Sequence, residues 1–130
     1  MFLSNVLVGV GTGDYMDTMR EYISAGTVPT RILEYNQPHN IYLFSLATNG
    51  ILGFALLIYL FTRIFILIHP LRKALPGQKH SFFLASAVAV HYLVAGLTDS
   101  LFNIFLLRYT FAFIMGICIH KALVNPQKTP

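Results

Sequence analysis

From Ile41 to Ile68 the chain runs without an acidic residue and with a single basic one, Arg63. At about 1.5 Å of rise per residue, a helix of that length outlasts the roughly 30 Å hydrocarbon core of a bilayer. The stretch therefore predicts a spanning helix that crosses with tilt or projects a turn or two beyond the lipid. Arg63 lies near its carboxyl-terminal end, where a guanidinium snorkels to the headgroups. Asn40, Tyr42 and Asn49 belong to its amino-terminal turns, which the extra length allows to stand in a polar cleft.

Composition points the same way. The 130 residues are 55% hydrophobic and 11% charged, more apolar surface than a water-soluble domain can cover. Two further apolar runs, from Phe82 to Leu97 and from Leu101 to Ile119, flank Gly96-Leu97-Thr98-Asp99-Ser100, which reads as the turn of a tight helical hairpin. The predicted fold is all-α and integral to a membrane. It places an extracytoplasmic segment at residues 1–40, three transmembrane helices within residues 41–122 and a tail at residues 123–130.

The first forty residues differ from the rest. Phe2 to Val10 is apolar but too short to span, and it has no basic leader. Tyr15, Met19, Tyr22 and Ile23 recur at helical spacing, which predicts a short amphipathic helix from Asp14 to about Ser24, capped by Thr12 or Asp14 and stopped by Gly26 and Pro29. Gly9-x-Gly11-x-Gly13 lacks the βαβ surroundings of a phosphate-cradling loop and reads as a tight backbone turn.

The net charge of +4 does not call for nucleic acid, because Arg72, Lys73, Lys79, Lys121 and Lys128 all flank apolar runs. By the positive-inside rule the link His69–His80 and the carboxyl-terminal tail are cytoplasmic. Residues 1–40 and the Thr98–Ser100 turn then share the opposite face, although Arg20 and Arg31 lie there too. Cys118 sits inside an apolar run as an inert thiol, so neither a disulfide nor a metal site is predicted. Arg108, about nine residues past Asp99, is expected to face the bundle and pair with Asp99, His91 or a group in a part of the protein beyond this chain, because an unpaired charge at that depth is costly.

Gln37-Pro38-His39-Asn40-Ile41-Tyr42-Leu43 places a histidine where an aqueous segment meets a spanning helix. Histidine exchanges protons near neutral pH, so His39 is a candidate general base at a membrane surface. The plainer reading is that it caps the helix or bonds a loop carbonyl. Asn40 and Tyr42 are candidates for lining a substrate site, and equally for a helix cap and an interfacial tyrosine. Arg31 and Arg20 are candidates to hold an anionic substrate, or are solvated charges paired with Glu34, or with Asp17 and Glu21.

The order Leu7-Val8-Gly9-Val10-Gly11-Thr12-Gly13-Asp14-Tyr15, then Pro38-His39-Asn40-Ile41-Tyr42-Leu43, then Asn49-Gly50-Ile51-Leu52-Gly53, resembles the carboxyl-terminal part of the O-antigen ligase and polymerase family, as does Asp99-Ser100 before a last apolar run. The resemblance covers nearly all of this chain and about the final third of a usual member. It implies an enzyme of the bacterial inner membrane that takes a glycan from undecaprenyl diphosphate and joins it, on the periplasmic face, to the lipid A core. It also implies metal- and cofactor-independent chemistry, a histidine matching His39 near the acceptor hydroxyl, arginines that hold the diphosphate, and further helices ahead of residue 1. An O-antigen polymerase, a protein O-oligosaccharyltransferase, and a non-catalytic membrane protein or gene remnant remain the alternatives.

Overall fold

A computed structural model describes residues 5–31, 38–73 and 76–124. Gln37, Glu34 and the tail carrying Lys128 lie outside them. The described residues are helical and contain no strand: α1 spans Tyr15–Ser24, α2 Ile41–Ile68, α3 Pro76–Ala95 and α4 Phe105–Val124, with 3-10 turns at His69–Lys73 and Leu101–Asn103. Among these residues one helical run, Ile41–Arg72, is long and apolar enough to cross a membrane. α3 begins at Pro76, upstream of the apolar run that predicts it, because a proline fits the first helical turn, where its missing N–H is not needed. α4 begins later than its apolar run, since Leu101–Asn103 first winds a 3-10 turn in which the Ile104 amide bonds the Leu101 carbonyl at 3.1 Å.

The chain divides into two compact units. The first comprises residues 1–57 and Gly96–Ser100; the second comprises Ile58–Ala95 and residues 101–130.

In the first unit, α1 buries Tyr15 against Phe44 of α2, with ring centroids 5.6 Å apart. Burial raises the Tyr15 phenol above its ordinary pKa of 10.0. Asp14 occupies the N-cap position, and its carbonyl accepts the Thr18 amide at 2.9 Å. Its side chain makes no capping bond, contrary to expectation, and turns toward Gly11 instead. At the other end Gly26, at φ +69°, donates to the Ile23 carbonyl at 2.9 Å and turns the chain out of the helix.

α2 is two helices joined at Gly50, whose φ of 64° and ψ of −162° lie outside helical space. In a continuous helix the amides of Ile51 and Leu52 would bond the carbonyls of Ala47 and Thr48. Here Ile51 donates to the Val6 carbonyl at 2.9 Å and Leu52 to the Leu7 carbonyl at 3.3 Å. The vacated carbonyls of Ala47 and Thr48 accept the amides of Val10 at 3.0 Å and Gly11 at 2.8 Å. The Val6–Gly11 segment thus inserts into the ladder, and four bonds to it stand where a continuous helix would have two of its own.

Insertion requires backbone against backbone. A Cβ on Gly50 would strike the Leu7 carbonyl, and one on Gly9 would strike the Thr48 carbonyl carbon and lie 2.6 Å from the Asn49 nitrogen. Both glycines also hold positive φ, 64° and 66°, which L side chains rarely adopt. Gly53 leaves room in the same way for the Asn49 side chain, whose amide donates to Thr48 Oγ1 at 2.9 Å.

The second unit is held by side chains. α3 turns Ser81, Ala85 and Ala89 inward at four-residue spacing, the pattern of small residues that lets helices approach closely. Tyr92 donates from its hydroxyl to the Leu107 carbonyl at 2.6 Å and packs on Phe111 with centroids 4.6 Å apart. Phe102 and Phe61 complete this cluster, at 5.1 and 5.9 Å from Phe111. Arg108 is exposed, with its guanidinium 5.5 Å from the centre of the Tyr109 ring rather than in the expected pair with Asp99 or His91. Outward-facing Leu56, Tyr59, Phe83, Val94, Leu106 and Phe113 spread exposed apolar surface over α2, α3 and α4.

Candidate functional site

The amino-terminal end of α2 is docked on the turn between α3 and α4. Asn40 caps the helix, its Oδ1 accepting the amides of Tyr42 and Leu43 at 3.0 Å each. Its Nδ2 donates to the Leu97 carbonyl at 3.0 Å, and the Ile41 amide donates to the Gly96 carbonyl at 2.9 Å. Ser100, fully buried, donates from Oγ to the Pro38 carbonyl at 2.7 Å. His39 is therefore flanked on both sides by residues tied to the same turn.

Across that junction His39 Nδ1 lies 3.6 Å from Asp99 Oδ1, an ion-pair distance longer than a hydrogen bond. The same carboxylate oxygen accepts the Ser100 amide at 2.7 Å, which fixes its direction. The His39 side chain is 57% exposed and that of Asp99 40%, so water screens the pair and a small molecule can reach the ring. The arrangement leaves His39 Nε2 facing away from the carboxylate, as a general base paired through Nδ1 requires.

Asn40 uses both ends of its amide for structure, and Tyr42 is half-buried with its ring edge-on to Phe54 at 6.4 Å. Arg20 pairs with Asp17 one turn away on α1, at 2.8 Å, and both are largely exposed. Arg31 is exposed at the end of the stretch 5–31 and forms no salt bridge among the described residues. Neither arginine contributes to the hydrogen bonds of the His39 junction. No group of three or more His, Cys, Asp or Glu stands ready to hold a metal among the described residues.

Asp99 is the site residue that reading the sequence for His39 alone leaves out. Its signal is the alternation of apolar runs, which brings residues 1–40 and the Thr98–Ser100 turn to one face; nothing local to either residue marks the pair. Comparison of the chain with protein-family models, curated proteins and solved structures finds no match to any of them.

Proposed function

We propose that this chain is the carboxyl-terminal part of a membrane glycosyltransferase of the O-antigen ligase kind, with His39 as its general base. In this reading α2, α3 and α4 all cross the bacterial inner membrane, residues 1–40 and the α3–α4 turn are periplasmic, and the carboxyl terminus is cytoplasmic. The observation that carries it is the approach of His39 to Asp99 at the amino-terminal end of the apolar helix, between Pro38 and Asn40, which are both bonded to the turn that carries Asp99. The apolar surface exposed on all three helices supports the membrane setting.

The chemistry follows from those groups. The donor is a glycan on undecaprenyl diphosphate and the acceptor is a hydroxyl of the lipid A core. His39 takes the hydroxyl proton as the acceptor oxygen bonds the sugar's anomeric carbon, while the bond from that carbon to the phosphate oxygen breaks and the lipid diphosphate leaves with the electron pair. Asp99 orients the ring and stabilises the imidazolium. Arg31, and Arg20 once released from Asp17, meet the negative charge on the leaving phosphate.

In the complete protein, His39→Ala lowers transfer by about 10²–10⁴-fold at unchanged abundance, the usual contribution of a positioned base. Normal transfer by that variant refutes the assignment. Supplying lipid A core, a repeat-unit glycolipid and a pilin-like protein as competing acceptors separates ligase from polymerase and protein glycosyltransferase.

A further inference from the structure

Ser100 is fully buried and spends its two donors on the two arms of the His39–Asp99 pair. Its amide donates to Asp99 Oδ1 at 2.7 Å, the same oxygen that faces His39 Nδ1 at 3.6 Å. Its hydroxyl donates at 2.7 Å to the carbonyl of Pro38, the residue just before His39. One small residue therefore sets the carboxylate from one side and the backbone that carries the imidazole from the other. Asn40 and Ile41 tie to Leu97 and Gly96, earlier in the turn, and touch neither arm at Asp99. Ser100 is shut off from solvent, so loss of its hydroxyl leaves the Pro38 carbonyl without that donor.

We infer that Ser100 is the positioning residue of this pair: by holding Pro38 against Asp99 it selects the tautomer of His39 that leaves Nε2 free to accept a proton. A neutral imidazole carries one ring proton, and a carboxylate beside Nδ1 draws it to that nitrogen. At 3.6 Å the pull is electrostatic and falls with distance, so it is only as strong as the placement of the two arms. Both side chains are partly exposed, which leaves that placement to the backbone. The consequence for glycan transfer rests on the reading of His39 as the base; the choice of tautomer does not.

The test reads the tautomer by nitrogen NMR of the full chain in lipid nanodiscs, with isotope-labelled histidine at about pH 9, where neutral imidazole is the ordinary form. The His39 signals are those absent from His39→Ala. In the wild type the proton resides mainly on Nδ1. Ser100→Ala keeps the amide bond to Asp99 and loses only the hydroxyl. It lowers the ratio of Nδ1–H to Nε2–H by about two- to fourfold, the scale of a unit charge withdrawn from beside one ring nitrogen in polar surroundings. Asp99→Asn lowers the ratio at least as far. Tyr92→Phe, which removes a hydroxyl-to-carbonyl bond of 2.6 Å from the second unit, leaves it unchanged. In the complete protein Ser100→Ala lowers kcat for transfer by about ten- to a hundredfold at constant KM and adds nothing to His39→Ala. An unchanged ratio in Ser100→Ala overturns the inference, as does an equal fall in Tyr92→Phe, which would make the effect a general loosening of the fold. Normal transfer by His39→Ala together with a lowered ratio in Ser100→Ala refutes the base and leaves the positioning role standing.

Discussion

The two units reach stability by different means. The first is organised by main chain: the Val6–Gly11 segment bonds into the break in α2, and Asn40, Ile41 and Ser100 bond across to the Gly96–Ser100 turn and Pro38. The second is organised by side-chain volume, through the Phe61, Tyr92, Phe102 and Phe111 cluster and the small inward residues of α3. The contrast follows from what each sequence supplies. Glycine removes side-chain volume so that amides and carbonyls can meet, whereas rings fill space and leave each helix to satisfy its own backbone. Directional bonds fix positions to within a few tenths of an ångström, and it is in the first unit that the candidate base and its carboxylate face one another.

The contrast breaks most visibly at Gly50. Gly50→Val forces a branched side chain into positive φ and against the Leu7 carbonyl, at a cost of about 3 kcal/mol or more. Denaturant unfolding in micelles measures the loss, and faster hydrogen exchange at Ile51 and Leu52 locates it. A wild-type midpoint and wild-type exchange at those amides would mean the segment does not enter the ladder.

Phe111→Ala probes the second unit: its ring is 5% exposed, and the cavity left behind costs about 3 kcal/mol. Side-chain NMR of Phe61, Tyr92 and Phe102 reports it, while exchange at Ile51 and Leu52 stays as in the wild type. Asn40→Ala removes the cap of α2 and the bond to Leu97 together and costs about 1 to 2 kcal/mol, read as faster exchange at Tyr42 and Leu43.

The smallest effect depends on pH. The Tyr15 phenol has a raised pKa in the folded state, so the fold holds its proton more tightly than the unfolded chain does. The resulting stability is fully present below about pH 10 and is lost as the pH rises through the folded value. Tyr15→Phe therefore reduces the loss of stability between about pH 9 and about pH 11, as thermal unfolding at the two values shows. An unchanged alkaline loss in the variant would assign that loss to other groups.

Local signals carried much of this architecture. The periodicity of Tyr15, Met19, Tyr22 and Ile23, the Asn40 cap, the Gly96–Ser100 turn and the apolar length of Ile41–Ile68 each depend on residues close together in sequence. What reading along the chain misses depends on partners far apart. The predicted spanning helix is unbroken at Asn49-Gly50, and the break there depends on the Gly9 turn, because a glycine does not announce which backbone will use the space it leaves. Of the partners expected for Arg108, Asp99 faces His39 instead, and the guanidinium lies exposed against the Tyr109 ring. His39 is conspicuous beside its proline and asparagine, whereas Asp99 gains meaning only from a hydrogen-bonded junction 62 residues long in sequence between Pro38 and Ser100.

The joint at Gly50 also sets how errors of phase travel along α2. In an unbroken α-helix, one inserted residue rotates every later side chain by about 100°. Here the amides of Ile51 and Leu52 take their orientation from Val6 and Leu7, so the helix beyond the joint is indexed to a strand of chain some forty residues upstream. A residue inserted between Ser45 and Thr48 thus turns the helix ahead of the joint, Phe44 and the Asn40 cap with it, while the amides of Ile51 and Leu52 keep their partners. A residue inserted between Leu7 and Gly9 upsets both halves at once.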